Sequence, residues 1–286
     1  MNSVREYVRL AYNVSRPRFW FYIAGPFTVG CIWGANSFLD LATPEFFIYL
    51  FYFLFPANFL LYGINDYWDR DTDLLNPKKK AKEYLVGDGE RVRLRRLLTA
   101  ILALSTALIL FQKNMGERLI FGSFLFLSYF YSARPLRFKA VPFLDSASNI
   151  LYALPGVFAY YQVTGLPPPS LVLLAAFLHT SAMHLFSAIP DIEWDSKAGL
   201  VTTAVLIGER ASMLLCLGLW SGFSAIVFMV GNGSPMVFLS LLYPILVLTL
   251  LIRGEEAWST YWFYPHINTG LGGLLFLIGA IQTPFA

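Results

Sequence analysis

Long apolar runs, each of roughly 17 to 25 residues, recur along almost the whole chain, and few features restrict folding as much. In hydrocarbon no water can satisfy a backbone N–H or C=O, so a segment that crosses must satisfy its own hydrogen bonds. Nine such runs lie near residues 19 to 38, 45 to 64, 96 to 112, 118 to 132, 144 to 162, 170 to 189, 211 to 231, 235 to 252 and 263 to 282. The chain is 57% hydrophobic, 17% aromatic and only 14% charged, with a mean hydropathy of +0.57, which excludes a water-soluble domain. The expected fold class is all-α: a polytopic membrane protein with nine transmembrane helices. The first run begins near Phe19, after an Arg-containing segment, and reads as a retained helix rather than a cleaved leader. Cys31 and Cys216 sit inside apolar runs, where a thiol behaves as a small hydrophobe, so neither a disulfide nor a metal site is expected of them.

Charge supports the span count independently. With the N-terminus in the cytoplasm, nine crossings leave only Lys113 and Arg118 of the 21 Lys and Arg outside. The positive-inside bias predicts that distribution, and adding or removing one early span would scramble it. The expected location is therefore the cell membrane, multi-pass, with no nucleic-acid partner.

Two acidic clusters interrupt this apolar pattern at the ends of spans. The first is Asn65-Asp66-Tyr67-Trp68-Asp69-Arg70-Asp71-Thr72-Asp73. If the preceding helix continues for two more turns, Asn65, Asp69 and Asp73 share one face at i, i+4 and i+8. The second, Ile189-Pro190-Asp191-Ile192-Glu193-Trp194-Asp195, repeats the four-residue carboxylate spacing. Both are expected on the cytoplasmic side. Hard oxygen ligands in two such groups suit divalent cations carrying a phosphorylated substrate.

Basic residues divide into two kinds. Lys78-Lys79-Lys80 and the arginines from Arg91 to Arg96 read mostly as a juxtamembrane patch that sets topology and touches anionic lipid. The tighter segment Tyr131-Ser132-Ala133-Arg134-Pro135-Leu136-Arg137-Phe138-Lys139 puts three cations in six residues at a helix end between the acidic clusters. Arg134 and Lys139 are placed to grip phosphate oxygens, although topology signalling alone competes as an explanation.

In order and spacing these motifs resemble the UbiA superfamily of intramembrane prenyltransferases. The first cluster is similar to that family's Asn-Asp-x-x-Asp-x-x-x-Asp motif, and residues 131 to 139 to its Tyr-Ser-x-x-Pro-x-Arg-x-Lys segment. Asp191 to Gly208, with Asp195, Gly199, Thr202 and Thr203, resembles its second motif and the Gly-x-x-Thr continuation. One position departs: Ala188 stands where many members carry a third Asp. Within the superfamily, His184 to Ala204 looks most like the lycopene elongase branch, which makes C50 carotenoids.

The resemblance implies one domain over residues 1 to 286, with its helices around a central chamber. It implies two Mg²⁺ ions, replaceable by Mn²⁺, held by Asn65, Asp69, Asp73, Asp191 and Asp195. Asn65, Arg134, Lys139, Lys197 and His184 are the substrate-binding candidates. The implied reaction transfers a prenyl group, dimethylallyl being favoured, from its diphosphate to lycopene through an allylic carbocation that apolar and aromatic walls keep from water. An aromatic acceptor of the quinone, haem or chlorophyll type is the alternative. The apolar spans show almost no Lys or Arg to partner a charged acceptor, which favours a hydrocarbon one. For His184 the competing roles are a hydrogen bond between helices and deprotonation of the final cation; Asp145 is expected to cap its helix or pair with a loop cation. A cation-coupled anion transporter would also have many spans and acids, but its sites sit near the midplane on interrupted helices, not at span ends.

Overall fold

Each of the nine apolar runs is met by helix, in one piece or in several. The structure, a computed structural model, describes residues 2–69, 84–231 and 233–285. All regular structure among the described residues is helical. In chain order the α-helices are α1 (Asn2–Val14), α2 (Phe21–Gly34), α3 (Pro44–Leu54), α4 (Pro56–Trp68), α5 (Arg91–Leu110), α6 (Met115–Phe130), α7 (Leu144–Ala147) and α8 (Leu154–Thr164). They continue with α9 (Ser170–Ala188), α10 (Ile192–Lys197), α11 (Thr203–Ile207), α12 (Glu209–Val230), α13 (Leu242–Arg253), α14 (Trp258–Tyr261) and α15 (Tyr264–Gln282). Among the described residues, four stretches are by themselves long and apolar enough to cross a membrane: Pro44–Trp68, Ser170–Lys197, Thr203–Val230 and Pro235–Arg253. The run at 144 to 162 is not one helix. It breaks into α7, a 3₁₀ segment Ser148–Tyr152 and α8.

The chain divides into two compact units. One comprises Met1–Arg137, Leu154–Pro167 and Gly273–Ala286; the other comprises Phe138–Ala153 and Pro168–Gly272. In the first unit α4 is buried all round along most of its length, Pro56 through Ile64 being all buried, the pattern of a helix surrounded by others. Phe59, Leu60 and Ile64 pack with Leu10 and Val14 of α1 and Leu94 and Leu98 of α5. The α3–α4 break falls at Phe55, whose φ of −120° and ψ of −64° precede Pro56; proline begins a helix well and disfavours helical backbone before it. α2 and α8 approach closely enough that a Cβ on Gly30 would meet the Gly156 carbonyl oxygen at 2.1 Å, so this crossing requires glycine.

The second unit is built on α9 against α12, with α13 and the first residues of α15 completing its core. Trp220 is fully buried and stacks on both Tyr243 and Tyr264, ring centroids 5.3 Å apart in each case. Its indole N–H donates to His179 Nδ1 at 3.2 Å. A buried indole N–H needs such a partner in an apolar core.

Candidate active site

The first acidic cluster hangs on the last turn of α4. The helix does not run on for two further turns: it ends at Trp68, and Asp69 caps it with φ −108° and ψ 6°. Asp69 N–H still donates to the Asn65 carbonyl at 2.9 Å, so Asn65 and Asp69 keep their i, i+4 relation. Asp73 lies outside the described residues. A carboxylate at a helix C-terminus meets the negative end of the macrodipole, and burial raises its cost further. Arginines answer both problems. Arg137 donates to Asp69 Oδ1 at 2.8 Å, the Asp69 side chain being wholly buried. Arg16 donates to Asp66 Oδ1 at 2.7 Å and lays its guanidinium 4.6 Å over the Tyr62 ring. Both arginines have left-handed backbone, φ 51° at Arg16 and 41° at Arg137, which costs a residue with a Cβ about 1–2 kcal/mol. The strain aims a cation at each of two carboxylates in one motif. Asn65 Nδ2 donates to Ser132 Oγ at 3.0 Å, so the amide oxygen is the acceptor atom that could face a cation.

In the second unit α9 passes through a 3₁₀ turn, Ile189–Asp191, into α10. Asp191 stands at the N-cap of α10, and Glu193 and Asp195 lie in its first turn. Here the helix dipole favours the acids. Asp191 and Asp195 are both half-buried. Ala188, at the position of the missing third carboxylate, is buried in the apolar core, so the departure leaves ordinary packing. Lys197 is exposed; it pairs with Glu193 and lies 4.5 Å over the Trp194 ring. Arg134 is exposed, while Lys139 is half-buried in a 3₁₀ turn, Phe138–Ala140. His184, half-buried on α9, feels the charges of Asp145, Lys139 and Asp191.

Asp145 departs from its expected role. Phe143, not Asp145, occupies the N-cap of α7, and the Asp145 carboxylate instead accepts from the backbone and hydroxyl of Thr203. Sequence reasoning missed this pair and the Arg16–Asp66 pair because no local spacing signals them. Arg137 was inside a recognised motif, but its partner was not legible.

Asn65, Asp69, Asp191 and Asp195 offer hard oxygens, which suit Mg²⁺. Among the described residues no three His, Cys, Asp or Glu side chains form a group that could hold a metal ion by itself. Mg²⁺ is usually held by one or two carboxylates together with water and substrate phosphate. The donor set therefore fits.

A family model described as the UbiA prenyltransferase family matches residues 23–266. The chain belongs to the UbiA prenyltransferase family. As a member it is an enzyme, a prenyltransferase, and its apolar helices are of the membrane type. It is 42% identical over 271 residues to a lycopene elongase/hydratase of Haloferax volcanii, across 94% of this chain and 87% of that protein. It is 43% identical over 273 residues to a lycopene elongase/hydratase of Haloarcula japonica, across 93% of this chain and 89% of that one. Among solved structures it resembles a UbiA homolog from Archaeoglobus fulgidus bound to GPP and Mg²⁺, with a TM-score of 0.73 and 25% identity, covering 94% of this chain and 97% of that one.

Proposed function

We propose that this UbiA-family prenyltransferase carries a dimethylallyl group from its diphosphate to lycopene, in the making of longer carotenoids. The observation that carries the reading is 42% identity, sustained over 94% of the chain, to a lycopene elongase/hydratase. Solved UbiA homologs from Archaeoglobus fulgidus bound to GPP or DMAPP with Mg²⁺ support an allylic diphosphate donor and a divalent cation.

In this reading Asn65, Asp69 and Asp73, with Asp191 and Asp195, provide the ligands for two Mg²⁺ ions, and Mn²⁺ substitutes. Bound Mg²⁺ supplies the positive charge that lets carboxylates and diphosphate share a site and neutralises charge on the leaving group. Arg137 pairs with Asp69 and orients it, and Arg16 does the same for Asp66. Arg134, Lys139 and Lys197 bind diphosphate oxygens that remain. The allylic C–O bond breaks with both electrons leaving on diphosphate. A terminal double bond of lycopene then gives its pair to the new C–C bond. The resulting tertiary cation loses a proton to His184, or captures water and then releases that water's extra proton to solvent. Apolar walls exclude water until that step.

The same reading places nine helices in the cell membrane with a cytoplasmic N-terminus and both acidic motifs on that side, because the bias of Lys and Arg favours that orientation. The test is pigment extraction from a lycopene-accumulating host that expresses the chain, followed by mass analysis. Products five and ten carbons larger than lycopene are expected. In paired assays with dimethylallyl diphosphate, prenylation of 4-hydroxybenzoate but not of lycopene would replace this acceptor with an aromatic one.

A further inference from the structure

Asp145 belongs to neither acidic motif, yet its carboxylate is fully buried and surrounded by donors. It accepts from Thr203 N–H at 2.7 Å, from the Thr203 hydroxyl, and from Ser146 N–H at 2.8 Å. Thr203 Oγ1 also accepts from Phe143 N–H at 2.6 Å, with Phe143 in left-handed backbone at φ 66°. Two segments that are 58 residues apart thus meet in one joint.

Each side of the joint leads to a site residue. On one side Asp145 N–H donates to the Val141 carbonyl at 2.9 Å, so α7 follows directly from the turn that carries Lys139. On the other side Thr203 begins α11, at the end of the strap that leaves α10. That strap turns at Gly199, φ 71°, and its Leu200 N–H returns to the Asp195 carbonyl at 2.9 Å.

We infer that Asp145 is a positioning residue for the diphosphate and metal site: through Thr203 it fixes the strap behind Asp191 and Asp195, and through its own turn it fixes Lys139. The inference rests on the proposed role of those three residues. A carboxylate is the right group because all three groups hydrogen-bonded to it, Thr203 N–H, the Thr203 hydroxyl and Ser146 N–H, donate. An asparagine there would set its NH₂ against another N–H or O–H and leave a buried donor unsatisfied. Residues that orient ligands from behind typically change metal affinity or activity by about 10- to 100-fold when lost.

The test uses the purified full chain in detergent, with thermal unfolding followed while Mg²⁺ is titrated at fixed inorganic pyrophosphate. In Asp145→Asn the Mg²⁺ needed for half-maximal stabilisation should rise by about 10- to 100-fold. Thr203→Val should shift it in the same direction by less, and Thr203→Ser, which keeps the hydroxyl, should match the unchanged protein. In turnover assays the KM for dimethylallyl diphosphate should rise while the KM for the acceptor stays constant. A purely structural role would lower the unfolding midpoint and leave the Mg²⁺ requirement where it was. Folded Asp145→Asn with an unmoved Mg²⁺ requirement overturns the inference; if that variant does not fold, an unmoved requirement in Thr203→Val overturns it equally. An unchanged protein that gives no response to Mg²⁺ and pyrophosphate overturns the metal reading and this inference together, which separates the two failures.

Discussion

Arg137→Ala tests whether the buried carboxylate at the end of α4 depends on its arginine. At the observed 2.8 Å, two unit charges attract by about 6 kcal/mol at an effective dielectric constant near 20. Desolvation of both partners offsets part of that, and deleting one member of a buried pair costs about 3–5 kcal/mol because the buried charge that remains loses that partner's attraction. The Asp69 side chain is 0% exposed but that of Arg137 is 20% exposed, so water reaches one side of the pair. The lower end, about 3 kcal/mol, is therefore expected. At about 2–4 °C per kcal/mol, the unfolding midpoint in detergent without Mg²⁺ should fall by about 6–12 °C. Arg137→Gly should recover about 1 kcal/mol of the loss, since φ 41° suits glycine and strains alanine. Adding Asp69→Asn to Arg137→Ala should recover more, because the buried charge that Arg137 had offset is then gone. The order of midpoints should be unchanged protein, double variant, Arg137→Gly, Arg137→Ala. A midpoint for Arg137→Ala equal to that of the unchanged protein, or a double variant no better than the single, would refute the reasoning.

Three further outcomes are expected. Gly30→Ala should destabilise by about 1–3 kcal/mol, because its Cβ would lie 2.1 Å from the Gly156 carbonyl oxygen. Gly25→Ala in the same helix meets nothing within 4 Å and should gain up to about 1 kcal/mol; equal shifts in the two unfolding midpoints would contradict the close α2–α8 crossing. Excess EDTA should abolish prenyl transfer, and Mg²⁺ or Mn²⁺ should restore it, since acidic clusters repel diphosphate without a cation between them; undiminished turnover after chelation would remove the metal from the mechanism. Asp191→Ala and Asp195→Ala should each lose most of the activity while costing no more than about 1 kcal/mol of stability, the usual worth of an acid at a helix start. Near-normal turnover in both would show that neither is a metal ligand.

Much of this protein is decided by its sequence alone. Apolar runs of membrane length must satisfy their own backbone hydrogen bonds, so helix is their outcome before any neighbour is known. The i, i+4 relation of Asn65 and Asp69 is a property of a single helical turn, and it survives even though α4 stops at Trp68. The basic segment 131–139 and the Gly-x-x-Thr strap are equally local, and that is why a family resemblance could be read from them. Tertiary structure decided the pairings. Arg16 reaches Asp66 across 50 residues, Arg137 reaches Asp69 across 68, and Thr203 reaches Asp145 across 58. No periodicity connects such positions, and local preference argues against two of them, since left-handed backbone at Arg16 and Arg137 is what glycine or asparagine favours. The strain is tolerated because each arginine meets a carboxylate that burial would otherwise make costly, and that balance exists only after the helices have packed.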